Sequence, residues 1–149
     1  MKKTNKKATQ YKFDGKRNWY FLDAKSDNLG RLGVKISLLL QGKRKPCFAP
    51  QLDCGDFVIV VNTRLLKVSH PAKWEGKNYF TYTGYAGGIR RKNLKEAVIQ
   101  NPNDVMRKAV FNMLPKNNLR RPRINRLKLF TEEKEGRELY EAMRKKTGK

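Results

Sequence analysis

A chain of 149 residues with 35 lysines and arginines against 13 aspartates and glutamates carries a formal charge of +22. That length is one domain, able to bury roughly 70% of its unfolded surface, and 38% apolar residues supply a modest core. The composition argues against a membrane span, because no run of eighteen apolar residues occurs, and against a secretory signal, because the cationic start lacks an apolar segment. Self-repulsion of this size destabilises the isolated fold and favours an anionic partner: nucleic acid, an anionic membrane surface or acidic protein. Aromatic residues interleaved among the cations favour nucleic acid. Cys47 and Cys54, the only cysteines, lack C-x-x-C spacing and read as reduced thiols.

Residues 1–17 hold seven bases against Asp14 and read as a basic arm that orders on its partner. Trp19-Tyr20-Phe21-Leu22 is a buried-strand candidate ending at Asp23. Asn28 can cap a helix whose apolar positions Leu29, Leu32, Ile36, Leu39 and Leu40 follow helical spacing, with Gly42 at the C′ position. Gly30 and Gly33 inside that helix point to close backbone packing. Lys43, Arg44 and Lys45 follow it, suited to the helix dipole and to phosphates alike. Gly30-Arg31-Leu32-Gly33 also fits the G-x-x-G of a KH loop, a four-residue pattern of low specificity.

Asp53-Cys54-Gly55-Asp56 reads as a tight turn into Phe57–Val61, five continuous apolar residues that predict a strand covered on both faces within a parallel sheet. Asp53 and Asp56 fit turn and cap roles better than metal binding or acid–base work, since no third ligand stands nearby. His70, the only histidine, sits in a turn-like Ser-His-Pro context without partners for a triad or a zinc site. An RNA-acting enzyme built on Asp53, Asp56 and His70 is therefore a poor reading.

Lys73 and Lys77 precede a strand candidate over 78–83. The segment Gly84 to Ile89 is a glycine-rich loop closed by Arg90, Arg91 and Lys92. Glycines let a backbone approach phosphates, and the tyrosines and arginines can stack on bases. Asn93 can cap a short helix to Gln100, and Asn101-Pro102-Asn103-Asp104 is a strong helix start. Between Asp104 and Glu132 no acid occurs. Within that gap a helix with an apolar stripe (Val105, Met106, Ala109, Val110, Met113) must stop before Pro115. A cationic loop too polar to bury then carries Lys116, Arg120, Arg121, Arg123 and Arg126. Leu127 to Phe130 forms a last short strand. A charged helix follows from Thr131, with Glu133–Arg137 and Glu141–Lys145 as i,i+4 pairs and a narrow apolar strip at Leu139, Tyr140 and Met143.

Taken in order, Trp19…Leu22-Asp23-Ala24, Leu29-Gly30-Arg31-Leu32, Gly42-Lys43…Lys45-Pro46, Asp53…Gly55-Asp56 with its strand and Asn62, Tyr82-Thr83-Gly84-Tyr85…Gly87-Gly88 and Met113-Leu114-Pro115-Lys116-Asn117 form a specific set. Over residues 18–130 the chain resembles the bacterial-type large-subunit ribosomal protein number thirteen (L-thirteen) family. It departs from the family at Ser69-His70, Ala86, Asn112 and Arg120, and in the charged tail that replaces the usual His- and Gln-containing C-terminal segment.

The resemblance places the G-x-x-G in a helix and removes the KH reading. It implies an α/β/α domain over 18–130 with a four-stranded, mainly parallel sheet, flanked by the arm 1–17 and a helical tail 131–149. It also implies a non-catalytic constituent of the large ribosomal subunit, in the cytoplasm or an organelle, bound to large-subunit ribosomal RNA and neighbouring ribosomal proteins. No cofactor, metal, membrane or small-molecule substrate is expected. A free-standing RNA-binding translational regulator is the alternative. The residues expected on RNA are Lys43, Arg44, Lys45, Lys73, Lys77, Tyr82, Tyr85, Gly87, Gly88, Arg90, Arg91, Lys92, Lys116, Asn117, Arg120, Arg121, Arg123 and Arg126.

Overall fold

The structure, a computed structural model, describes Gly15 and residues 17–147. Except for Gly15 and Arg17, the expected basic arm lies outside the described residues. Three parallel strands form the central sheet in the order β1 (Trp19–Asp23), β2 (Phe57–Val61), β5 (Leu127–Leu129). The continuous apolar run of β2 takes the centre, as a strand covered on both faces must. Strand β1, expected to be buried, is only half-buried because it is an edge strand. Trp19 stacks there on its register partner Phe57, with centroids 4.3 Å apart.

Helix α1 (Leu29–Gln41) buries its whole predicted stripe against one face of the sheet, together with α4 (Pro102–Met113) and its Val105, Met106 and Val110. Val58 and Val60 of β2 point into that core. Gly42 ends α1 in the left-handed region at φ 74°, its N–H donating to the Leu38 and Leu39 carbonyls, each at 3.1 Å. Of the two helical glycines, only Gly33 matches the close-packing expectation. A Cβ there would stand 2.9 Å from Met113 Sδ of α4, whereas Gly30 faces open space.

The other sheet face is covered by α6 (Glu133–Thr147). A Cβ on Gly136 would land on Val61 Cγ1 and close to Ile59, so the glycine lets this helix lie directly on β2. Tyr140 meets Phe21 of β1 at 5.6 Å, and Glu133 pairs with Arg137 at 2.7 Å. The charged tail thus supplies a covering layer.

Strands β3 (Asn78–Tyr82) and β4 (Ile89–Asn93) form a separate antiparallel hairpin, which corrects the expected four-stranded sheet to three strands plus two. A short glycine-rich tip closes the hairpin locally, and its pairing is completed without the main sheet. Arg90, Arg91 and Lys92 accordingly lie within β4. The hairpin rests on α3 (Leu94–Gln100), with α2 (Lys73–Gly76) beside it. Asn93 donates its N–H to the Glu96 carboxylate at 3.3 Å at the start of α3. Pro102 opens α4 at its first position, as expected. Among the described residues no helix is long and apolar enough to cross a membrane.

The segment after α4 is the largest departure. Expected to be an exposed loop, it contains helix α5 (Arg120–Asn125), with Arg123, Ile124 and Arg126 buried. Pro122 falls in the first turn, where its missing N–H breaks no helical bond. Arg126 grips Asp53 with both guanidinium nitrogens, and its Nη2 also donates to the Leu40 carbonyl at 3.3 Å. Arg123 donates to the Leu52 carbonyl at 3.2 Å and stands 3.5 Å from Asp53. Arg17 approaches the same carboxylate at 3.6 Å. Asp56 is buried, accepts the Asn18 N–H at 2.8 Å and pairs with Lys45.

Asp53 and Asp56 therefore neutralise internal cations instead of shaping a turn. Arg123 and Arg126, expected on phosphates, are withdrawn from the surface. Their long stems are buried while their tips reach Asp53 and the Leu40 and Leu52 carbonyls.

Two outcomes follow. Replacing Gly136 by Val wedges α6 off the sheet and should cost about 1–3 kcal/mol, lowering the thermal midpoint; an unchanged midpoint would show that α6 is not seated on β2. Asp53 provides a pH test. Burial pushes its carboxyl up, but hydrogen bonds from Arg126 and the charges of Arg126, Arg17 and Arg123 outweigh this and hold it below the usual carboxylate range. A lowered folded value means the stabilisation is present above the unfolded value and is lost as pH falls through the folded one. In urea titrations Asp53→Asn should be less stable than the parent at pH 7, with the gap closing below pH of about 4; a gap independent of pH would contradict the ion-pair account.

Candidate nucleic-acid interface

The expected RNA-contacting residues sort by what already holds them. Lys43 and Arg44 emerge from the turn after Gly42, are exposed, and make no ion pair among the described residues. Lys45, next in sequence, folds back onto Asp56, so only two of the three cations here face solvent. Lys116 and Asn117 are exposed in the connection from α4 into α5, and Arg121 is exposed in the first turn of α5. Arg120 is held down: its ion centre sits 3.6 Å above the Phe111 ring, and its Nε donates to the Phe111 carbonyl at 2.8 Å. It satisfies a carbonyl of the last turn of α4, a C-terminal capping role open to arginine. Arg120 is thus a positioning residue for this connection, and Arg123 and Arg126 anchor α5 from beneath.

A second group surrounds the hairpin. Arg90, Arg91 and Lys92 are exposed along β4, and Lys92 also bonds the Gln100 side chain at 2.8 Å. Lys73 donates to Ser69 Oγ at 2.6 Å. Lys77 and Lys108 both lie over the Tyr79 ring, at 5.6 and 5.7 Å from its centroid. Lys108 was not among the expected contacts. Burial pushes the Tyr79 phenol up, with the Lys108 ammonium pulling the other way. Tyr82 and Tyr85 are exposed, and Gly87 and Gly88 close the tip. Sequence reasoning missed Phe80 and Ile89, which stand exposed beside Tyr82. Period-two alternation along Asn78–Tyr82 was the signal, since an inward Tyr79 forces Phe80 and Tyr82 outward.

The residues considered for catalysis are not assembled. Asp53 and Asp56 are consumed by cations, and His70 is exposed, its Nδ1 accepting the Ala72 N–H at 3.2 Å. Cys54 is buried and donates to the Cys47 carbonyl at 3.3 Å, and burial pushes its thiol up, away from the reactive thiolate. Among the described residues no group of three His, Cys, Asp or Glu side chains could hold a metal ion. What remains is a rigid body presenting cations and aromatic rings, an arrangement suited to a polyanion with exposed π-faces.

Comparison with known proteins agrees with this geometry. The family described as Ribosomal protein L13 matches residues 17–136. The large ribosomal subunit protein uL13 of Helicobacter hepaticus is 44% identical over 117 residues, covering 78% of this chain and 82% of that protein. Its counterpart in Thermosipho africanus is 40% identical, covering 77% of this chain and 76% of its own. The Chlorobium phaeobacteroides protein is 44% identical, covering 76% and 75%. The match spans the sheet, the hairpin, both internal aspartates and the start of α6, and the chain belongs to the ribosomal protein L13 family.

Proposed function

We propose that this chain is a structural, non-enzymatic constituent of the large ribosomal subunit that binds and stabilises large-subunit ribosomal RNA during assembly and translation. Membership of the L13 family carries the reading. Its physical counterpart is a charge of +22 of which the internal aspartates compensate only a few cations.

On this reading Lys43, Arg44, Lys116, Asn117 and Arg121 form one contact region. Lys73, Lys77, Tyr82, Tyr85, Gly87, Gly88, Arg90, Arg91 and Lys92 form the other, with Lys108 added. Arg120, Arg123, Arg126 and Lys45 support these regions from within. The basic arm and neighbouring ribosomal proteins complete the site; the bacterial relatives favour a cytoplasmic ribosome over an organellar one. RNA shape and 2′-hydroxyls dominate specificity, because A-form RNA hides its base edges in a deep, narrow groove.

Two measurements test this. If six to ten phosphates are neutralised, log affinity for ribosomal RNA should fall against log salt with a slope of about −4 to −9; a slope near −1 would contradict the polyelectrolyte mechanism. Reversing Lys43, Arg44, Lys116 and Arg121 to Glu should leave the thermal midpoint nearly unchanged and cut incorporation into large subunits severalfold. Normal incorporation would place the contact elsewhere.

A further inference from the structure

The hairpin has two dissimilar faces, and register assigns every residue to one of them. Phe80 pairs with Arg91 and Tyr82 with Ile89, so these four share a face; Tyr79 pairs with Lys92 and Thr81 with Arg90 on the other. The second face is seated, because Tyr79 packs against the main core between Lys77 and Lys108. The first is bare: Phe80 is 67% exposed, Tyr82 63% and Ile89 67%, with Tyr85 at 80% on the tip. Contiguous apolar surface of this kind on a highly charged protein marks a contact site.

The platform is preformed. Five register pairs hold the strands, the Thr83 N–H donates to the Gly88 carbonyl at 3.1 Å, and the Gly88 N–H donates to the Tyr85 carbonyl at 2.9 Å. A Cβ on Gly88 would collide with Thr83 Oγ1 and crowd the Tyr85 carbonyl, so the backbone of the tip is closely packed where Tyr85 leaves it.

We infer that the Phe80–Tyr82–Ile89–Arg91 face, extended by Tyr85, seats unpaired, splayed nucleotides of RNA on its rings. This rests on the ribosomal-RNA reading and names the form of RNA that this part of the surface takes. Alternate residues of an antiparallel strand stand about 6.8 Å apart, twice the rise of about 3.4 Å along a stacked nucleic-acid strand. Bases resting on Phe80 and Tyr82 are therefore held apart from each other, which a duplex cannot allow and a loop or bulge can.

Charge selects RNA over a protein partner. No acid occurs from residue 76 to 95, while Lys77, Arg90, Arg91, Lys92 and Lys95 do. An apolar protein surface laid on this face would strip water from Arg91 without neutralising it, at a cost. A nucleotide brings a ring for Phe80 or Tyr82 and a phosphate for Arg91 together.

The test uses the full chain with two labelled probes, a short oligouridylate and a blunt RNA duplex of equal length, titrated over a salt series. Phe80→Ala with Tyr82→Ala should weaken oligouridylate binding by about tenfold or more. It should leave duplex binding within about twofold and keep the salt slope, since no phosphate contact is removed. Phe80→Trp with Tyr82→Trp should restore the affinity, and thermal unfolding of each variant verifies the fold. Equal binding of oligouridylate by parent and double alanine variant would overturn the inference, as would equal losses on both probes. A double alanine variant that keeps RNA affinity but is missing from large subunits would assign the face to a protein neighbour. Parent chain that binds duplex alone contradicts only this inference; parent chain that binds neither RNA contradicts the ribosomal reading.

Discussion

The fold depends on one electrostatic constraint: this chain brings cations into its interior and has few anions to meet them. Asp53 carries most of that task. It accepts both ends of the Arg126 fork and faces Arg123 and Arg17, while Asp56 takes Lys45 and the backbone of Asn18. Arg126 also reaches the Leu40 carbonyl at the end of α1. This single cluster ties the exit of α1, the entries of β1 and β2, and α5 into one unit. Removing one partner would strand a buried charge, a loss of about 3–5 kcal/mol in comparable pairs. The cluster also divides the cations of 105–128 into those committed to the protein and those left exposed to solvent.

Shape follows from where side chains are missing. Gly33 admits Met113 of α4 against α1, and Gly136 admits Val61 and Ile59 against α6. The sheet is thereby covered on both faces despite having only three strands, and apolar β2 is protected from water along its length. Among the described residues, nothing gives the hairpin such cover on its outer side. It is held from beneath by Tyr79 and by the α3 helix that follows it, so its exposed rings are displayed by a fixed support.

Much of this was legible in the sequence. The stripe of α1, its Gly42 terminus, the all-apolar β2 and the Asn-Pro start of α4 follow local rules that tertiary contacts reinforce. The misses share a cause, which is partnership at long range. Arg123 and Arg126 read as surface cations because nothing local reveals an aspartate some seventy residues earlier. The same blindness hid α5, since a run of arginines around a proline looks too polar to bury. Arg120 read as a phosphate ligand because its acceptor, the Phe111 carbonyl, becomes available only where α4 ends. The four-stranded sheet was implied by the resemblance; the strand expected over 78–83 does form, but only its pairing shows that it joins β4 and not the main sheet. Phe80 was overlooked because the tyrosines around the glycine loop drew the assignment.

The most direct test of the account is a sucrose-gradient profile of native lysate, probed for this protein at low salt and after a high-salt wash. The account predicts co-migration with large subunits and whole ribosomes at near one copy per subunit, retained through the wash. Recovery at the top of the gradient, or release at moderate salt, would contradict it and point to a free RNA-binding regulator using the same surface.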